Sequence, residues 1–368
     1  MPNDRTKKSP YTVDKDKVCM INMSRNNKGE CAMDTTENFN PKPWARNPHL
    51  QTFVKSLKLL KPGKNAMVDC AQQMIIDAGN GVRLLGYYSK HTDSDSKGLM
   101  LILHGWEGSS DSVYILRTGK FFFDRGYDIF RLNLRDHGDS HHLNVGLFHG
   151  GLIDETVAAV QSLSQLADGK SLYVLGFSLG GNFALRIALK QTESKLENLM
   201  HVFGISPVLD PYKSTIAIDK TSPFYRNYFL KKWLKSLKKK QNAFPNIYKF
   251  DTVFTLKTVM EVTDYIIPKY SPFEDHREYF GTYTLLRNVF STLSIPVTII
   301  TAEDDPVIPI NDFYELRDHD KLNLCIQRYG GHCGFLYLYP FGSWFEMKIL
   351  DIIQSYEKSS HILERTAM

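Results

Sequence analysis

Ser178 stands between glycines in Gly176-Phe177-Ser178-Leu179-Gly180-Gly181, the G-x-S-x-G spacing, directly after the apolar run Ser171–Leu175 and before a helix-length segment. Strand, sharp turn and helix in that order expose the hydroxyl at the turn and aim the first helix amides at it. Glycines flank such a serine because larger side chains would collide with backbone at so tight a turn. The chemistry such a serine could perform is nucleophilic acyl transfer. A serine hydroxyl is a weak nucleophile near neutral pH, so a base must take its proton and a third group must hold that base in one tautomer.

Both partners occur downstream. His332 lies in the glycine-rich Gly330-Gly331-His332-Cys333-Gly334-Phe335 and is the expected general base. The acidic loop Ala302-Glu303-Asp304-Asp305-Pro306 follows the apolar run Val297–Thr301 and offers Asp305 as the orienting acid, with Asp304 as the competing choice. Developing negative charge on the substrate oxygen needs two aimed amides. Leu179, next to the serine, is one; Trp106, in the loop His104-Gly105-Trp106-Glu107-Gly108 after the run Leu99–Leu103, is expected to supply the other.

The loop Arg135-Asp136-His137-Gly138-Asp139-Ser140-His141-His142 invites a metal reading, yet its residues lack an accepted zinc spacing, and a hydrogen-bonded loop beside the site is expected instead. Neither metal nor cofactor is expected. Cys333 is expected to be a packed thiol, since Ser178 fills the nucleophile's role.

These residues must be held by regular elements. Two apolar runs around Ala78-Gly79-Asn80-Gly81 predict an opening hairpin. Strand-length runs at Leu99–Leu103, Asp128–Leu134, Ser171–Leu175, His201–Ile205, Val297–Thr301 and Leu324–Arg328 alternate with helix-length segments. That rhythm predicts an α/β fold, a mostly parallel sheet of eight strands with helices on both faces, and function at the strand ends. The rhythm breaks after Pro207, where an insertion between the sixth and seventh strands is expected to be a helical cap. The expected division is a flexible tail at 1–40, a core at 41–206 and 291–358, a cap at 207–290 and a terminal tail at 359–368.

Four segments together resemble the YheT-like branch of the α/β-hydrolase-fold serine hydrolases, related to the α/β-hydrolase-domain esterases and lipases. They are Asn47-Pro48-His49-Leu50-Gln51-Thr52, His104 to Gly108, Gly176 to Asn182 and Gly330 to Phe335. The chain order Ser, Asp, His is that of this fold. The resemblance implies hydrolysis of a carboxylic ester through an acyl-enzyme, without a cofactor. Set against the usual G-x-x-D form, Ala302-Glu303-Asp304-Asp305 favours Asp305. Acyl transfer to an alcohol or thiol would use the same triad, and an inert membrane-associated binding protein would keep the fold without turnover.

A formal charge of +5, from 45 basic and 40 acidic residues, is too mild to imply a nucleic-acid partner. Five scattered cysteines without a C-x-x-C pair suggest a reducing compartment, and the N-terminus lacks the apolar core of a secretory signal, so a cytoplasmic setting is expected. The stretch Tyr225 to Lys240 sets Phe229, Leu230, Trp233, Leu234 and Leu237 on one helical face and Lys231, Lys232, Lys235, Lys238, Lys239 and Lys240 around the rest. It is expected to cover the pocket with a solvated lysine face; the sharper alternative is peripheral contact with anionic lipid, delivering a lipid ester.

Overall fold

The computed structural model describes residues 38–92, 96–194, 196–338 and 341–367. An eight-stranded sheet runs through it: β1 (Gln72–Asp77), β2 (Arg83–Ser89), β3 (Leu99–Leu103), β4 (Asp128–Leu132), β5 (Leu172–Phe177), β6 (Leu199–Ile205), β7 (Val297–Ala302) and β8 (Leu322–Gln327). Their spatial order is β1-β2-β4-β3-β5-β6-β7-β8. β1 and β2 form the opening hairpin and β2 pairs antiparallel with β4, whereas every pair from β4 through β3 to β8 is parallel. The central strands β3, β4 and β5 are buried at every position, which explains their continuous apolar runs: parallel strands covered on both faces have no solvent side to alternate toward.

The fourth strand ends two residues before its sequence boundary. There Asn133 turns its side chain to take the Ser110 amide, and the Leu134 amide donates to the His104 ring, so the backbone leaves the sheet toward the loop that follows β3. Phe39, assigned to the flexible tail, is instead docked: it is 2% exposed, packs on Phe335 and Tyr337, and its amide donates to the Gln327 side chain. Residues 1–37 of that tail lie outside the described residues. At the other end the helix Trp344–Ala367 runs through most of the segment assigned to a terminal tail.

Between β6 and β7 lie the helices Pro211–Thr221, Pro223–Ala243, Val259–Tyr270 and His276–Gly281, which roof the ends of the parallel strands. The apolar stripe of the Pro223–Ala243 helix faces inward: Leu230 and Leu237 are buried, and Phe229 and Trp233 line a cavity below. The expectation of six solvated lysines is corrected here. Lys240 is fully buried, bonded to the Asp136 carboxylate at 2.7 Å and to the carbonyls of Asn144 and Gly146 at 2.7 and 2.9 Å. An ammonium has three protons to place, and a carboxylate plus carbonyl oxygens satisfy it, so burial is tolerable. Lys232 reaches the Glu107 carbonyl, and Lys239 the Gly138 carbonyl and the Asp139 carboxylate. Lys231, Lys235 and Lys238 are left on the exposed face.

Candidate active site

β5 ends at Phe177, and the next residue, Ser178, has φ +53° and ψ −114°, before the helix Leu179–Leu189 begins. A left-handed φ is costly for a non-glycine residue, on the order of 1–3 kcal/mol, and persists where surrounding contacts determine it. The neighbours provide those contacts. A Cβ on Gly176 would come within 2.0 Å of the Gly180 carbonyl oxygen, and one on Gly180 within 2.3 Å of the His104 carbonyl oxygen. Only glycine allows these backbones to meet, which is the physical content of the motif.

The Ser178 hydroxyl lies 3.0 Å from Nε2 of His332, and Nδ1 of that ring lies 2.9 Å from Oδ2 of Asp305. A carboxylate only accepts, so Nδ1 carries the proton and Nε2 is free to accept the serine's. Asp305 is held in turn, its other oxygen accepting the amides of Val307 and Ile308 at 2.8 and 3.0 Å. Burial opposes charge on His332, but the adjacent Asp305 carboxylate, with Cys333 beside the ring, outweighs it and raises the pKa to about 9.

Asp304 points elsewhere. It accepts the Gly331 amide at 2.8 Å, and burial together with the charge of Asp305 pushes its pKa up to about 6. The two adjacent aspartates therefore divide the work: one touches the imidazole, the other pins the loop that carries it. Cys333 is buried, its thiol donating to the Ile205 carbonyl and lying 3.8 Å from Nε2 of His332.

Leu179 and Trp106 both border the cavity beside Ser178, and among the described residues neither main-chain N–H has a partner. The neighbouring Gly105 amide is already taken, by the Tyr114 hydroxyl at 2.9 Å. A Cβ on Gly105 would touch that of Ser178 at 3.3 Å, which shows how closely this loop lies against the serine. The Arg135–His142 loop is occupied with structure: Arg135 pairs with Glu155, Asp136 with Lys240, and His141 with the Ser236 hydroxyl at 2.8 Å. It ties the cap to the core.

The helix Pro48–Val54 has a role that residue types alone did not disclose. Asn47 caps it by accepting the His49 and Leu50 amides, and Pro48 starts it. Thr52 Oγ1 then accepts the His332 amide at 2.9 Å, Lys55 Nζ donates to the His332 carbonyl at 2.5 Å, and Gln51 bonds both the amide and the carbonyl of Leu336. Both peptide groups of the histidine are thus clamped by a helix almost 280 positions earlier in the chain, and the signal for it was the Asn47–Thr52 segment itself. Thr52→Val keeps the shape but leaves the buried His332 amide without an acceptor, an expense of about 1–3 kcal/mol that the loop can relieve by shifting. The expected result is a fall in kcat of about tenfold with KM within about twofold, and recovery in Thr52→Ser, measured on a short chromogenic ester.

Two cavities meet at Ser178. One, of about 820 Å³, extends beneath the cap and is lined by apolar side chains including Val208, Ile218, Val259, Ile266 and Phe280, with no charged residue on its walls. The other, of about 590 Å³, contains His332, Lys55, Lys232, Tyr114 and Tyr228. Trp106 and Phe229, stacked at 5.8 Å between centroids, border both.

A family model described as alpha/beta hydrolase fold matches residues 98–242, and the chain has the α/β-hydrolase fold. An esterase of Pyrococcus furiosus superposes with a TM-score of 0.53 at 16% identity, over 78% of this chain and 91% of that one. Among curated relatives, Phospholipase ABHD3 of Mus musculus is 23% identical over 82% of this chain and 74% of its own length. Monoacylglycerol lipase ABHD2 of Mus musculus is 22% identical over 83% of this chain and 76% of its own. The relatives are thus of lipase and esterase type.

Proposed function

We propose that the chain is a serine hydrolase of carboxylic esters with an extended apolar acyl group, in the YheT-like branch of its fold. The observation that supports this most is the continuous hydrogen-bonded relay from Ser178 through His332 to Asp305, opening onto an uncharged cavity. In this reading Ser178 Oγ attacks the ester carbonyl as its proton passes to His332 Nε2. The Leu179 and Trp106 amides receive the oxyanion, at on the order of 3 kcal/mol per donor. The tetrahedral intermediate collapses, the ester C–O bond breaks, and Nε2 returns the proton to the departing alkoxide. Water, deprotonated by the same histidine, then cleaves the acyl-enzyme and restores the serine.

Hydrolysis of p-nitrophenyl esters of graded chain length tests the reading: kcat/KM is expected to rise from acetyl toward medium chains as the apolar cavity fills, and a profile falling from acetyl onward would reject it. Acceptor alcohols added to the same assay separate hydrolysis from acyl transfer.

The exposed lysines support an enzyme that meets its substrate at an anionic surface, in the cytoplasmic setting expected from the sequence. Since the apolar stripe is spent on the cap interior, attraction would rest on Lys231, Lys235 and Lys238. At about 1 kcal/mol per lysine, replacing all three with glutamine is expected to lower partitioning onto phosphatidylserine vesicles about 100-fold, read by co-sedimentation. Unchanged partitioning would remove the surface role and leave the chemistry untouched. Among the described residues no helix is long and apolar enough to cross a membrane.

A further inference from the structure

The two cavities differ in the one respect that decides which half of an ester enters each. His332 borders the smaller cavity and not the larger. The histidine must hand its proton to the departing oxygen, so the alcohol half of the ester belongs on the His332 side and the acyl half beneath the cap. The alcohol side carries two ammonium groups and no carboxylate among its lining residues. Lys55 spends one proton on the His332 carbonyl, and Lys232 approaches the Glu107 carbonyl at 3.4 Å. An ammonium has three donors, so each lysine keeps two for another acceptor. Their charges stand in an aromatic setting, Lys55 lying 5.6 Å from the Tyr114 ring centre and Lys232 4.8 Å from that of Tyr228.

Glu107, whose carbonyl Lys232 approaches, also has its carboxyl within electrostatic reach of that lysine. Burial pushes the Glu107 pKa up to about 8, against the pull of Lys232, so near neutral pH the carboxyl offsets the lysine's charge only in part. Two incompletely used ammonium groups, half-buried, on the leaving-group side of a nucleophile are a receptor for an anion. The apolar cavity suits that anion poorly, because its walls carry hydroxyls but no cation to compensate the cost of removing the charge from water.

We propose that the leaving group is an alcohol bearing a phosphate, held between Lys55 and Lys232, so that the substrate class is an acyl ester of a phosphorylated alcohol. This rests on the serine hydrolase reading above and narrows it. Ester cleavage releases the phosphorylated alcohol protonated on its former ester oxygen; the phosphate stays intact throughout and serves only to bind.

The test compares kcat/KM for 1-octanoylglycerol 3-phosphate with that for 1-octanoylglycerol, both below their aggregation concentration, in wild type and in Lys232→Gln and Lys232→Arg. Wild type is expected to prefer the phosphorylated ester by about tenfold or more, the glutamine variant to bring the ratio near one, and the arginine variant to retain most of the preference. Lys55 is a poorer probe, since its substitution also releases the His332 loop. A wild-type ratio near one, or a ratio unchanged in Lys232→Gln, overturns the proposal. If inorganic phosphate alone shields Ser178 from a fluorophosphonate in wild type but not in Lys232→Gln while the ratio stays near one, the lysines hold free phosphate and the substrate assignment is overturned. Wild type that labels yet hydrolyses neither ester defeats this proposal alone, whereas folded wild type that does not label defeats the serine hydrolase reading with it.

Discussion

Ser178→Ala is expected to abolish labelling by a fluorophosphonate probe and to lower ester turnover by at least about 10⁴-fold, leaving a residue of activity from the oxyanion donors and substrate binding alone. Among the described residues no other hydroxyl bonds the His332 ring: its Nε2 has the serine at 3.0 Å, and its next neighbour is the Cys333 sulfur at 3.8 Å. That thiol is buried and already donates to the Ile205 carbonyl, so it is not placed to take over. The Ser178 amide donates to the Ile205 carbonyl and the Ser178 carbonyl accepts the Asn182 amide, so the turn's backbone does not depend on the hydroxyl. Circular dichroism should therefore remain that of wild type. Labelling that survives in a folded Ser178→Ala protein would place the nucleophile elsewhere, and turnover that survives would refute the mechanism.

Why Ser178 was legible in the sequence and its surroundings were not has a physical explanation. The strand–turn–helix geometry constrains a few consecutive residues so tightly that glycine is the only solution at Gly176 and Gly180, and such local necessity writes itself into spacing. The parallel strands are legible for a similar reason: burial on both faces demands unbroken apolar runs. Lys240 was not legible. Its identity matches that of its neighbours on the helix, and its burial follows from where the distant residues Asp136, Asn144 and Gly146 converge. The clamp of Thr52 and Lys55 on His332 is likewise a long-range pairing. The division of the site into an apolar and a basic chamber depends on how a cap helix sets Phe229 against Trp106 of the loop after β3, which no periodicity encodes.

The adjacent aspartates permit a sharper experiment than either substitution alone. Asp305→Asn is expected to cost about 10⁴-fold in kcat, because an amide nitrogen facing Nδ1 favours the tautomer that puts the proton on Nε2, where it blocks acceptance of the serine's. The pH profile should also move, and its sign is determined. His332 must be neutral to act, and with Asp305 present its pKa is raised to about 9 despite burial, so kcat/KM for wild type should climb with pH and level off only above that value. Removing the Asp305 charge leaves burial, which lowers the pKa, so the inflection of the residual activity should shift toward acid. Asp304→Asn should behave differently on both counts. Its side-chain oxygen still accepts the Gly331 amide, so activity is expected to stay within about tenfold, with the inflection in place. Burial raises the folded-state pKa of Asp304 from 3.8 to about 6. A carboxyl that binds its proton more tightly when folded weakens the fold progressively as pH rises through that interval and by a constant amount above it. Asparagine removes the burden, so Tm should rise relative to wild type at pH 8 and match it near pH 4. A larger loss of activity in Asp304→Asn than in Asp305→Asn would invert the assignment of the two carboxylates, whatever the distances suggest.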